Sequence, residues 1–108
     1  MNGLGTINFG DVAIKILSNS DAMTIAELHF NGGIAAAQHH HINEEANYII
    51  EGVFESVHNG VVTSYKAGDI VHVAPNQEHS LKCVSKAGGR ILTSWTPSRK
   101  DLMAKIAK

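Results

Sequence analysis

Turn-forming residues interrupt this chain at short, regular intervals. Gly10-Asp11, Asn19-Ser20-Asp21, Asn31-Gly32-Gly33, Gly52, Asn59-Gly60, Lys66-Ala67-Gly68-Asp69, Pro75-Asn76 and Gly88-Gly89 all carry residues that suit turn backbone. Between them lie runs of about four to eight residues rich in Val, Ile, Thr, Tyr and Phe, the length and composition of strands. VAIKIL, 12–17, alternates with Val12, Ile14 and Ile16 on one face. MTIAELHF, 23–30, places Thr24, Ala26, Leu28 and Phe30 on one face, and Ile25, Glu27 and His29 on the other. NYII, VFESVH, VVTSY, IVHV, LKCV and ILTSW follow. This spacing predicts an all-β sandwich or barrel rather than βαβ units.

The sharpest local expectation is a hairpin in VFESVHNGVVTSYKAGD, where Asn59-Gly60 separates two β-prone runs and suits a type I′ turn. The chain ends differently. In SRKDLMAKIAK, Ser98 reads as an N-cap with Asp101 at the third helical position, followed by an apolar stripe of Leu102, Ile106 and Met103. A short helix over about 98–107 is expected to pack on the β domain.

With 108 residues the chain is expected to be one domain, 1–108, and 44% hydrophobic residues suffice for a single core. The formal net charge of −1 and scattered basic residues give no electrostatic case for nucleic acid. The mild cluster of Arg99, Lys100, Lys105 and Lys108 reads as a solvated tail. Cys83 is the single cysteine, so no internal disulfide can form, in keeping with a reducing compartment. MNGLGTINFG lacks a basic segment followed by an apolar run, so no secretory leader is expected, and no apolar run approaches the roughly 18 residues of a membrane helix. The expectation is a cytoplasmic protein without nucleic-acid or membrane partners.

One stretch carries chemistry: QHHHINEEANYIIEG, 38–52. In an extended segment His39 and His41 share a face and His40 points away. Glu45 can fold back beside them after a bend. His79 follows the Pro75-Asn76 turn, at the start of another strand. Neutral imidazole nitrogen and carboxylate oxygen are the donor types taken by Zn, Ni, Fe, Mn, Co and Cu. A solvated loop of surface histidines is the competing reading, and spacing alone leaves both open.

The sequence resembles the cupin superfamily, whose first motif reads G-x5-H-x-H-x3,4-E-x6-G. Gly33, His39, His41, Glu45 and Gly52 meet every position. The second motif reads G-x5-P-x-G-x2-H-x3-N. Gly68 and His79 match it, with Ala74 for the proline, Asn76 for the glycine and Cys83 for the asparagine. Asn76 tolerates the left-handed backbone a turn glycine would supply. The resemblance implies a single-domain cupin jelly-roll β-barrel, with motif 1 at 33–52, motif 2 at 68–83 and the helix after them. It also implies one divalent transition metal per chain, held by His39, His41, Glu45 and His79. Cupins commonly dimerise through their sheets, so a homodimer is expected.

The tail, ILTSWTPSRKDL at 91–102, with SNSDAMTIAELHFNGG and EEANYIIEG, resembles the short single-domain cupins of the pectin-degradation, uronate-linearising type. Their tail reads roughly D-x-F-x-P-x-R-x-D. Trp95 matches the aromatic position and Arg99 the arginine, which implies a ring platform and a carboxylate clamp for substrate; the competing readings are core packing under the terminal helix for Trp95 and a surface residue in the helix's first turn for Arg99. His72, in IVHV, is a further candidate for lining the pocket. Thr93 stands where the aspartate is expected, and threonine is a poor general base, so the catalytic base is unassigned. The function implied is Lewis-acid chemistry on a small sugar acid or keto acid: isomerisation, tautomerisation or ring opening. The alternatives are an Fe(II)-dependent dioxygenase and a non-catalytic module that binds a small ligand or metal.

Overall fold

The computed structural model of the chain describes residues 4–9, 12–39, 42–58 and 60–106, with the side chains of all of these except 9, 36–39 and 58. Its strands are β1 (Gly5–Phe9), β2 (Val12–Asn19), β3 (Thr24–Phe30), β4 (Ala35–His39), β5 (Glu44–Glu51), β6 (Val53–His58), β7 (Val61–Lys66), β8 (Ile70–Val73), β9 (His79–Cys83) and β10 (Gly89–Thr96). They form two sheets, a six-stranded one in the order β1-β2-β3-β10-β5-β8 and a four-stranded one in the order β4-β9-β6-β7. Every pairing is antiparallel. This is the all-β architecture that the spacing of turns predicts and the jelly roll that the resemblance implies.

The period-two pattern becomes burial. Val12, Ile14 and Ile16 of β2 are buried while Ala13, Lys15 and Leu17 are half-buried. Thr24, Ala26 and Phe30 do the same in β3. From the six-stranded sheet Ile16, Ile49 and Ile91 enter the core, and Phe54 enters from the four-stranded sheet. Complete burial of such side chains contributes about 1.5–3 kcal/mol each. Phe30 and Phe54 join the sheets edge to face, their centroids 5.1 Å apart and their planes at 82°. Gly89 makes room for this contact: a Cβ there would lie 2.6 Å from the Phe54 ring.

Two turn expectations are met in their described parts. β6 pairs with β7 from Val53↔Lys66 to His58↔Val61, and Gly60 has φ +79°. Asn59, the other turn residue, lies outside the described residues. Asn76 has φ 60°, the left-handed conformation of the glycine it replaces.

The helix differs from its expected start. α1 spans Lys100–Ile106, and the Arg99 carbonyl accepts from the Leu102 and Met103 N–H groups. Arg99 therefore caps it, and Ser98 does not. The Ser98 hydroxyl is used elsewhere: it donates to Asn19 Oδ1 at 2.7 Å and accepts from Thr24 at 3.3 Å. These tertiary bonds, 74 and 79 residues apart in sequence, prevail over the local capping box. Leu102 is buried and packs α1 against the hydrophobic core.

Candidate metal and substrate site

β5 and β10 are neighbours, and their register sets Glu45 opposite Trp95 and Asn47 opposite Thr93. All four side chains point inward and are buried. Directly opposed residues on one face of an antiparallel pair are in contact range. Trp95 Nε1–H donates to Glu45 Oε1 at 2.6 Å, and Asn47 Nδ2–H donates to Glu45 Oε2 at 2.7 Å. Thr93 Oγ1–H donates to Asn47 Oδ1 at 2.7 Å. Both oxygens of Glu45 thus accept a neutral donor.

His79 reaches the same point from the other sheet. It is 4% exposed, and its Nε2 lies 3.7 Å from Glu45 Oε1. Its Nδ1 is 3.0 Å from the Gln77 carbonyl oxygen. A carbonyl can only accept, so Nδ1 carries a proton and Nε2 is the nitrogen that faces Glu45. An imidazole oriented by a backbone carbonyl on its far nitrogen is the usual form of a metal-bound histidine. On donor chemistry, Glu45 and His79 fit a divalent transition metal.

The other two expected ligands are only partly accessible to description. The backbone of His39 pairs with that of His79 across β4 and β9. The side chain of His39, and His40 and His41 altogether, lie outside the described residues. Among the described residues no group of three or more His, Cys, Asp or Glu side chains is positioned to hold a metal.

A cavity of about 50 Å³ adjoins these groups. Glu45, Asn47, His79, Trp95 and Arg99 line its polar part, and apolar side chains of β2, β3, β9 and α1 complete it. It is room for a few waters, each needing roughly 10–15 Å³. Arg99 is 8% exposed, and its guanidinium carbon sits 4.8 Å from the centre of the Trp95 ring. Its Nε and Nη2 donate to Asp101 Oδ1 and Oδ2 at 2.9 and 2.8 Å. The hydrogen bond from Arg99 holds the Asp101 carboxyl below the usual aspartate range.

Of the expected site residues, Glu45, His79, Trp95 and Arg99 therefore converge on one cavity. His72 does not. It is exposed on the outer face of β8, with Nε2 2.5 Å from Glu44 Oε2. Val71 and Val73 on either side are buried, which sends His72 outward. Asn47 is not among the motif residues. Its signal was available: it is two residues after Glu45 and so shares the inner face of β5.

A family model described as Cupin domain matches residues 26–95. The pectin degradation protein KdgF of Dickeya dadantii (strain 3937) is 28% identical over 90 residues, covering 82% of this chain and 81% of that protein. The structure is similar to that of KdgF from Halomonas sp., with TM-score 0.82, 17% identity, and coverage of 91% of this chain and 90% of that one. It is equally similar to an RmlC-like cupin from Shewanella frigidimarina NCIMB 400, with TM-score 0.82, 24% identity, and coverage of 91% and 87%.

Proposed function

The chain belongs to the cupin family, and on that premise we propose that it is a metal-dependent enzyme acting on a small sugar acid or keto acid by isomerisation, tautomerisation or ring opening. The observation that carries this reading is the convergence of Glu45 and His79 beside Trp95 and Arg99 on one buried cavity. His39, His41, Glu45 and His79 would hold one divalent transition metal, which when bound polarises a substrate oxygen and acidifies the bonds next to it. The remaining work falls to the chain. Trp95 and Asn47 hold the Glu45 carboxylate in one orientation. Gln77 fixes the tautomer of His79. Arg99 gives Nε and Nη2 to Asp101 and keeps further N–H groups for a substrate carboxylate, while the Trp95 face offers a platform for a ring. The likeness to a pectin degradation protein favours a uronic acid as substrate.

The decisive experiment is metal content of untagged protein by element-resolved mass spectrometry, with Glu45→Ala in parallel. Near one metal per chain, lost in the variant, is the expected result. An unsaturated monouronate should then lose its ultraviolet absorbance in the presence of the loaded protein. No metal in the wild type, and none taken up on reconstitution, sinks the reading. Iron together with oxygen consumption would move it to a dioxygenase.

Thr93 favours a second reading. Its hydroxyl is buried and given to Asn47, and it does not line the cavity, so it supplies no base. A module that binds a small ligand without turnover has the same site. Ligand-dependent stabilisation with no product would establish it.

The proposal includes a homodimer. Leu92, Tyr48 and Ile70 are partners in register across β10, β5 and β8, and all three are exposed on the outer face of the six-stranded sheet. A second copy covering this row would remove it from water. A monomeric mass at micromolar concentration would contradict it.

A further inference from the structure

We propose that Thr93 and Asn47 are a matched pair that positions Glu45, with the Thr93 hydroxyl as the anchoring donor of the chain Thr93–Asn47–Glu45. The inference rests on the reading of Glu45 as a metal ligand and concerns how that carboxylate is held.

The direction of every proton in the chain follows from its partners. Asn47 Nδ2 lies 2.7 Å from Glu45 Oε2 and 3.2 Å from the Val71 carbonyl oxygen. A carboxylate and a carbonyl only accept, so this end of the amide is the NH2 group and both of its protons are used. The opposite end, Oδ1, accepts from Thr93 Oγ1–H at 2.7 Å. Asn47 is 1% exposed and Thr93 0%, so solvent does not compete for these bonds. Glu45 is thereby held from two sides, by the Trp95 indole on Oε1 and by Asn47 on Oε2.

This accounts for threonine where the uronate-linearising cupins are expected to carry aspartate. An ionised aspartate at 93 would set acceptor oxygens against Asn47 Oδ1. The amide would turn to offer its NH2 group to the new carboxylate, and Oδ1 would then face Glu45 Oε2, acceptor against acceptor. A donor at 93 and an amide at 47 avoid that conflict. Glutamate at 45 is then free to serve as a rigid ligand, and position 93 is a positioning residue.

The chain has one tryptophan, and its indole N–H is bonded to Glu45. The single indole resonance in a ¹H–¹⁵N spectrum therefore reports the position of Glu45 in metal-free protein. Glu45→Ala defines the resonance of the broken bond. Thr93→Ser is expected to keep the wild-type shift and slow hydrogen exchange. Thr93→Val and Asn47→Ala are expected to move the resonance toward that of Glu45→Ala and to speed exchange. In competition with a chelator, affinity for Zn²⁺ should fall about tenfold or more in these two variants and stay near wild type in Thr93→Ser. An indole resonance unmoved in both Thr93→Val and Asn47→Ala overturns the proposal, whatever happens to metal affinity. A wild type that takes up no metal defeats the function proposed above, while the indole comparison still decides how Glu45 is held.

Discussion

Glu44 and Glu45 are adjacent on β5, and each has a histidine beside it. The outer pair, Glu44 and His72, is the closer at 2.5 Å, with side chains 50% and 56% exposed. The inner pair, Glu45 and His79, is 3.7 Å apart and nearly sealed from water at 9% and 6%. Separation alone would rank the outer pair first. Its surroundings reverse the ranking: water screens the outer pair, and the long side chains lose freedom on meeting, so such pairs contribute about 0–1 kcal/mol. The inner pair sits in a network that fixes both Glu45 oxygens and the His79 tautomer, so its geometry is set before any ligand arrives. A site is made by burial and orientation, and contact distance is secondary.

The contrast can be tested from its strongest point downward. Glu45→Ala removes the acceptor of both Trp95 and Asn47, leaving two buried donors unmatched at about 1–3 kcal/mol each. Urea unfolding should show a loss of about 2–5 kcal/mol, together with abolished metal uptake. His79→Ala should abolish high-affinity uptake with a smaller loss of stability, read by the same two measurements. Trp95→Phe keeps an aromatic face under Arg99 and deletes one donor to Glu45; it should cost about 1 kcal/mol and weaken metal binding modestly. At the other end, His72→Ala and Glu44→Ala should each change stability by less than about 1 kcal/mol and leave metal stoichiometry at the wild-type value. Metal loss in either outer variant, equal to that in Glu45→Ala, would erase the distinction between the two pairs.

A pH experiment extends the same contrast to Asp101. Its carboxyl is held below the usual aspartate range, first by the hydrogen bond from Arg99. A depressed carboxyl stabilises the fold at pH values above its unfolded-state pKa, and that contribution is lost as the pH falls through the folded-state value. The advantage of wild type over Asp101→Asn in melting temperature should thus be full above about pH 5 and fade as the pH drops below about 4. Arg99 is 9% exposed on its side chain and Asp101 64%, so the effect should be smaller than that of Glu45→Ala. A difference that grows on acidification would contradict the assigned sign.

Much of the fold is legible because strands write their faces with period two. Val12, Ile14 and Ile16 announce the inner face of β2, and Asn76 announces a left-handed turn where its φ is 60°. His72 breaks the expectation of a pocket residue, although the same rule, applied to Val71 and Val73, sends it outward. The Ser98 capping box fails for another reason. It is a local signal, and the hydroxyl finds Asn19 and Thr24, partners that only the folded chain supplies.

The strand-rich architecture and the turn positions are readable from the chain as written, because each depends on short spacings and local backbone preference, while Glu45 and His79 are singled out by the family motifs they match. That β5 lies beside β10, and that β9 faces them from the other sheet, emerged in three dimensions alone. Those non-local pairings bring Thr93 to Asn47 and Trp95 to Glu45, 46 and 50 residues apart along the chain. Hydrogen bonds are directional and short, so the groups that aim a carboxylate are chosen by strand register, which no local pattern encodes.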